Sequence, residues 1–377
     1  MKSKKIKNKA SNIDISFLII VILLAIYGSI MIISASYSYA EARFSDPFYF
    51  SKRHGIWLFI GIITMLLSSK IKLSVIKKAT PILYIITLIL LILVLAMGLV
   101  GNGAKRWIAI GPITIQPSEI SKLTIILMLS YYYDRFQHLS LIKKGKKSFL
   151  YGTLLPICIF IIPTVLIMLQ KHLSCIIIVS LISISIIICS GIHLKYIYGF
   201  VGCGAAGIAA LAIFTDYTKE RIMVWLNPEA YKLTGGWQTL QGLMAIGSGG
   251  ILGVGFGKSL MKCSYVSEPA NDMIFAILCE ELGIAGALVA ILLFAFLVIK
   301  GIKIALNAND TYSRLIAIGI SIKMAVQTLL NIAVVTNSIP NTGISLPFFS
   351  YGGSSLVMVF FEMGVLLAIS RSAKIVK

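Results

Sequence analysis

Charge is what this chain of 377 residues has least of: 13% of its residues are charged, against about a quarter in a soluble domain. Acidic residues are the scarcest, 14 against 34 Lys and Arg. With a hydrophobic fraction of 58% and a mean hydropathy of +0.93, that scarcity excludes a soluble globular protein and predicts an integral membrane protein. The six cysteines (158, 175, 189, 203, 263 and 279) sit mostly inside apolar runs without paired spacing. Neither a disulfide framework nor a zinc site is indicated, and the four histidines are scattered singly. No internal repeat is evident, which argues against an inverted-repeat transporter. The segment "GVGFGKS", 253–259, falls short of a phosphate-binding P-loop, because G-x4-G-K-[ST] requires glycine where the chain has Leu252.

What the chain does have is apolar length. Crossing a hydrocarbon core of roughly 30 Å takes about 20 residues. Runs of that kind lie near 14–36, 54–69, 81–100, 117–133, 151–169, 173–190, 195–214, 271–299, 314–336 and 351–370, predicting an all-α polytopic bundle of ten helices. The first run follows the basic tail 1–13 and is longer than the roughly 7–15 residues of a signal-peptide core, so it reads as an uncleaved span. Loops on the N-terminal side carry 21 Lys or Arg and the opposite loops 11, which assigns both termini to the cytoplasm. The net charge of +20 then faces anionic lipid, and no nucleic-acid partner is expected. The chain reads as a single membrane domain, 1–377, with a large external loop, 215–269, between helices 7 and 8. Nine glycines in that loop permit turns and close approaches.

Several polar groups stand where apolar residues would be cheaper. Asp272 opens the run Met273 to Cys279 within "SEPANDMIFAILCEELG", and a carboxylate there is costly unless paired, hydrated or used. At 100° per residue Glu280 lies to one side of it and Glu281 opposite, so any second carboxylate comes from elsewhere, with Glu268 a candidate. In "GNGAKRWIAIGPITIQPSEISK", 101–122, Lys105 and Arg106 flank Trp107 at headgroup level, which interfacial anchoring alone would explain. Glu119 and Lys122, three residues apart, can pair, and a charge pair just inside a span favours a polar cavity over lipid. Lys323, Gln327 and Asn331 recur at steps of four and share one helix face, either tying helices together or lining a headgroup cavity. "NTGISLPFFSYGGSSL", 341–356, reads by composition as a turn and helix start.

These motifs, in their order, resemble the SEDS family (shape, elongation, division and sporulation), whose members include RodA, FtsW and SpoVE. The resemblance runs nearly the whole chain and rests on "KRWIAIGPITIQPSE", "ERIMVWLNPEAY", "GGWQTLQGLMAIGSGG", "EPANDMIFAILCEELG" and "GISLPFFSYGGSS". "GKSLMKCSYVSEPANDMIF" is more similar to the FtsW and SpoVE branch than to RodA. "QKHLSC" at 170–175 and Gly242 depart from the commoner pattern. The resemblance implies an inverting glycosyltransferase that polymerises lipid II into glycan strands at the outer face of the bacterial cytoplasmic membrane. It also implies a class B penicillin-binding protein as partner, and it carries the family's essential aspartate onto Asp272.

On that reading Asp272 accepts a proton from the attacking sugar hydroxyl. Lys105, Arg106, Arg221, Lys258 and Lys262 are external cations suited to a pyrophosphate. Glu119, Lys122, Glu268, Lys323, Gln327, Ser350 and Ser354 complete the expected substrate contacts, and the apolar spans hold the polyprenyl tail. No cofactor is assigned; a divalent cation, magnesium or manganese, stays open, with its ligands unknown. Two other classes use the same features: a lipid II flippase or transporter, and a non-catalytic scaffold of the division or sporulation machinery, which would tolerate loss of Asp272.

Overall fold

The computed structural model describes residues 13–101, 104–111, 113–140, 150–191, 216–263, 266 and 268–372. Lipid offers backbone groups no partners, so apolar runs satisfy them within helices. The described helices are α1 (Ile15–Phe44), α2 (Tyr49–Ser68), α3 (Leu73–Met97), α4 (Pro117–Ser140), α5 (Leu155–Leu169), α6 (Leu173–Cys189), α7 (Asp216–Leu226), α8 (Gly236–Gly249), α9 (Ile274–Leu306), α10 (Thr311–Val335) and α11 (Gly353–Ser372). Each expected span except 195–214 falls on one of them; that seventh span lies outside the described residues. Among the described residues six helices, α1, α2, α3, α9, α10 and α11, are long and apolar enough to cross a membrane, as expected of a multi-pass membrane protein. The interval read as an external loop holds α7 and α8.

Local chemistry sets the ends and faces of these helices. Asp14 caps α1 by accepting from the Phe17 N–H at 3.0 Å, and Asp310 caps α10 through the Ser313 N–H at 2.9 Å, each satisfying a donor that the first turn leaves orphaned. Along α1, Ile15, Ile19, Ile22, Ile26, Ile30 and Ile33 are exposed while Val21, Leu24, Met31 and Ala35 are buried. An isoleucine stripe at helical spacing turned outward is a lipid-facing surface. The α10 and α11 helices are buried over more of their length than α1, α2, α3 or α9 and form the middle of the bundle.

The all-α expectation needs one correction. Between α3 and α4 the chain forms a small antiparallel sheet, β1 (Leu99–Gly101), β2 (Ala104–Ile110) and β3 (Ile113–Ile115), in that order. Leu99 pairs with Trp107 and Ile108 with Ile115. The β-branched runs on either side of Gly111, which takes the left-handed φ of +61°, carry the hairpin signal.

The glycine-rich segment after α8 has a structural task. Helix α9 breaks at Gly283, where φ is +65° and ψ −167°, releasing backbone groups on both sides of the break. The segment supplies their partners: Val254 N–H donates to the Glu280 carbonyl (2.9 Å), Gly255 N–H to the Glu281 carbonyl (3.0 Å), and Ile284 and Ala285 N–H to the carbonyls of Gly250 (3.0 Å) and Ile251 (3.1 Å). A Cβ on Gly283 would lie 2.4 Å from both Gly253 N and Ile251 O. Gly283→Ala should therefore cost at least about 1–3 kcal/mol in stability from the backbone conformation alone. Gly247→Ala, whose Cβ would meet nothing within 4 Å, should leave thermal unfolding in detergent unchanged. Equal unfolding midpoints for the two variants would contradict this docking.

Candidate active site

A cavity of about 230 Å³ opens where β2, the start of α4, the α5–α6 turn, the turn before α9 and the segment before α11 converge. It brings together Arg106, Glu119, Lys122, Glu268, Asp272, Gln327 and Ser350 of the expected residues, with Trp107, His172, Ser345, Tyr351 and Ser355 beside them.

Asp272 lies in the turn before α9 rather than inside the helix, which begins at Ile274. Its position is set from four sides. Asn331 Nδ2 donates to its backbone carbonyl at 2.9 Å. Gln238 Nε2 reaches its carboxylate oxygens at 3.3 and 3.4 Å, and Gln238 is itself held by Asn341 Nδ2 at 3.3 Å. Ser350 Oγ donates to the Asn271 carbonyl at 2.7 Å, and the Tyr351 N–H to the Ala270 carbonyl at 2.8 Å. Gly343, with φ +66°, brings its backbone up to Asp272 Oδ2, 3.6 Å from where a Cβ would stand. One side of Asp272 still reaches the cavity, while the packing around the rest desolvates it. Burial, reinforced by the negative charge of Glu268, pushes its pKa up to about 6, against the opposing Gln238 hydrogen bond and the Arg221 charge. Such a carboxylate is ionised at neutral pH and basic enough to accept a proton.

The facing wall is cationic. Lys122 Nζ donates to Glu119 Oε1 at 2.7 Å and to Gln327 Oε1 at 3.2 Å, which leaves one of its three N–H groups. Arg106 donates to the Lys171 carbonyl, and its buried Nε has no protein partner. Burial and the Arg106 charge together hold His172 neutral, its pKa pushed down to about 3, so it adds a dipole and no charge.

Other expected contacts stand elsewhere. All three N–H groups of Lys262 are committed, to Glu281 Oε1 (2.7 Å), Gly257 O (2.8 Å) and Ser34 Oγ (2.9 Å). Lys105 and Lys258 are exposed away from the cavity lining, and the Lys105 ammonium lies 3.5 Å from the Ala96 carbonyl. Lys323 is fully buried against Glu362. Ser355, not Ser354, lines the cavity. Arg221 acts from behind, donating to the Asn341 carbonyl and influencing Asp272 electrostatically. Glu280 accepts from the Leu260 and Met261 N–H groups and Glu281 is held by Lys262 and Ser34, so neither is available to Asp272. Gln238 and Asn341 were not singled out in the sequence, since neutral amides leave no charge signal; both lie in motifs that do stand out, "GGWQTLQGL" and "NTGISLPFFS".

On the resemblance's reading of Arg106 as a pyrophosphate contact, Arg106→Lys should weaken turnover although the charge is kept, because a guanidinium engages phosphate oxygens through two parallel bonds and an ammonium does not. A loss of about 1.5–3 kcal/mol, the worth of one charged hydrogen bond, is expected in kcat/KM; parental kinetics and affinity would reduce Arg106 to a membrane anchor.

Residues 14–375 match the family described as "Cell cycle protein", which comprises FtsW, RodA and SpoVE. The chain is 38% identical to stage V sporulation protein E of Bacillus subtilis, over 97% of this chain and 99% of that one. It is 33% identical to the probable peptidoglycan glycosyltransferase FtsW of Geobacter sulfurreducens, over 96% of both. Among solved structures, it superposes with a TM-score of 0.78 and 23% identity on a chain of a peptidoglycan synthase complex, covering 95% of this chain and 98% of that one. Against the rod shape determining protein RodA of Thermus thermophilus the TM-score is 0.70 at 23% identity, covering 96% and 97%. With a family match over residues 14–375 and a relative 38% identical over 97% of its length, the chain belongs to the FtsW/RodA/SpoVE family.

Proposed function

We propose that this protein is a peptidoglycan glycosyltransferase that polymerises lipid II. The observation that carries the reading is the placement of Asp272 on the same cavity as the Lys122 and Arg106 cations. A base and an anion cradle facing one space suit glycosyl transfer from a pyrophosphate. A sugar hydroxyl loses its proton to the Asp272 carboxylate as its oxygen bonds to the anomeric carbon of a second lipid-linked disaccharide. The bond from that carbon to the pyrophosphate oxygen breaks with inversion, and the electron pair leaves with the polyprenyl pyrophosphate, whose charge Arg106 and Lys122 oppose. Among the described residues no group of three or more His, Cys, Asp or Glu converges as metal ligands. Glu268 lines the cavity and is the carboxylate that would hold a magnesium or manganese ion there, which would supply further positive charge opposite a pyrophosphate. Incubating the purified protein with lipid II tests the reading: glycan strands are expected, and their absence with a partner supplied would refute it.

The reading includes ten spans with both termini cytoplasmic, the 215–269 segment and Asp272 at the outer face of the bacterial cytoplasmic membrane, and a class B penicillin-binding protein alongside. Cys263 is exposed, so an impermeant thiol reagent should label it on intact cells in a variant lacking the other cysteines. Labelling that needs permeabilised cells would invert the topology.

A further inference from the structure

The mechanism leaves unused a second ion pair deeper in the bundle. Lys323 on α10 and Glu362 on α11 are both fully buried and joined by a short hydrogen bond. One turn along α10, Gln327 takes the Lys122 ammonium at 3.2 Å. A turn further, Asn331 holds the Asp272 carbonyl at 2.9 Å. One helix face thus runs from the buried pair, past the cavity's ion pair, to the candidate base. Charges act across the gap between the pairs: Lys323 attracts Glu119 and Glu362 attracts Lys122, against a repulsion between the two carboxylates.

A Glu–Lys pair in a low-dielectric interior faces a choice. It stays charge-separated, or the proton moves from ammonium to carboxylate and both groups become neutral, which avoids the cost of burying two charges. A second dipole, its cation acting on the first pair's carboxylate and its carboxylate on the first pair's cation, favours the charged form. Around Glu119 and Lys122 the remaining groups are His172 from the α5–α6 turn, Cys175 from α6 and Arg106 from β2. Burial keeps His172 neutral, so it supplies no cation to hold Glu119 ionised.

We infer that Lys323 and Glu362 are positioning residues, which hold the Glu119–Lys122 pair charge-separated so that the cavity wall presents a fixed cation to an anionic lipid-linked substrate. The inference rests on the lipid-pyrophosphate reading of the cavity, and its test requires no turnover. The variant Lys323→Met/Glu362→Leu replaces the pair with apolar groups of similar size, a change that is often neutral or stabilising. Its thermal unfolding in detergent should match the parent. At about pH 8, where ordinary carboxylates and Asp272 are ionised, its infrared spectrum should gain a carboxylic-acid C=O band that disappears when Glu119→Gln is added. Its affinity for polyprenyl pyrophosphate should fall about 10- to 100-fold, the equivalent of one charged hydrogen bond. A purely structural role for the pair would move neither the band nor the affinity. A stable double variant with Glu119 still ionised and parental affinity overturns the inference. The charge-reversed pair Lys323→Glu/Glu362→Lys repeats the test if the apolar pair fails to insert. The parental spectrum alone overturns it if Glu119 already carries the proton. Failure to form glycan strands, with this spectral change intact, would instead refute the polymerase reading.

Discussion

Asp272→Asn should insert and bind lipid II as the parent does, yet polymerise it at least about a hundredfold more slowly. Asparagine is nearly isosteric and can keep the Gln238 contact, but it cannot take up the proton. A positioned general base contributes about 10²- to 10⁴-fold, or roughly 3–5 kcal/mol of barrier. The pH profile supplies a second signature. Asp272 works as a base in its ionised form, and burial pushes its pKa up to about 6. The parental rate should therefore rise with pH through about 6 and then level, falling by about tenfold for each unit below. The variant's residual rate should lack that limb. Near-parental strand synthesis by Asp272→Asn would make the assignment wrong and turn attention to Glu268, which lines the same cavity.

Lys323→Met alone should have the largest effect on stability. It leaves Glu362 fully buried without its cation, and one Glu362 oxygen already has no partner. Removing one member of a buried pair costs about 3–5 kcal/mol, because the charge left behind has neither water nor a counter-ion. The unfolding midpoint in detergent should drop accordingly, and adding Glu362→Leu should restore it. An unchanged midpoint in the single variant would mean that Glu362 takes up a proton or is reached by water, and would contradict the cost assigned to the unpaired charge.

How much of this was legible in sequence depends on whether a residue's chemistry is local. The apolar runs announce their helices because in lipid there is no alternative for the backbone. The pairing of Glu119 with Lys122 and the shared face of Lys323, Gln327 and Asn331 follow from helical spacing, and both are present. Of that stripe Gln327 lines the cavity, while Asn331 ties α10 to the Asp272 and Ile344 carbonyls and Lys323 pairs with Glu362. Lys262 looked like a free external cation only because Ser34, on α1, and Glu281, on α9, are remote from it or hidden by the fold. The Glu362 partner of Lys323 is equally remote in sequence. The sheet is faint in the sequence because the strands Leu99–Gly101 and Ile113–Ile115 are too short for a periodicity, which leaves the β-branched residues around Gly111 as its one local signal.

The measurement that bears most directly on the account is strand synthesis by the purified protein in detergent, with lipid II as the sole sugar donor and a transpeptidase partner whose cross-linking is blocked. Micelles have no second leaflet, so a flippase or transporter has nothing to accomplish there, and a scaffold has no chemistry to perform. The account predicts glycan polymer from the parent and at least about a hundredfold less from Asp272→Asn. Intact lipid II in both samples, or equal polymer from both, would contradict it.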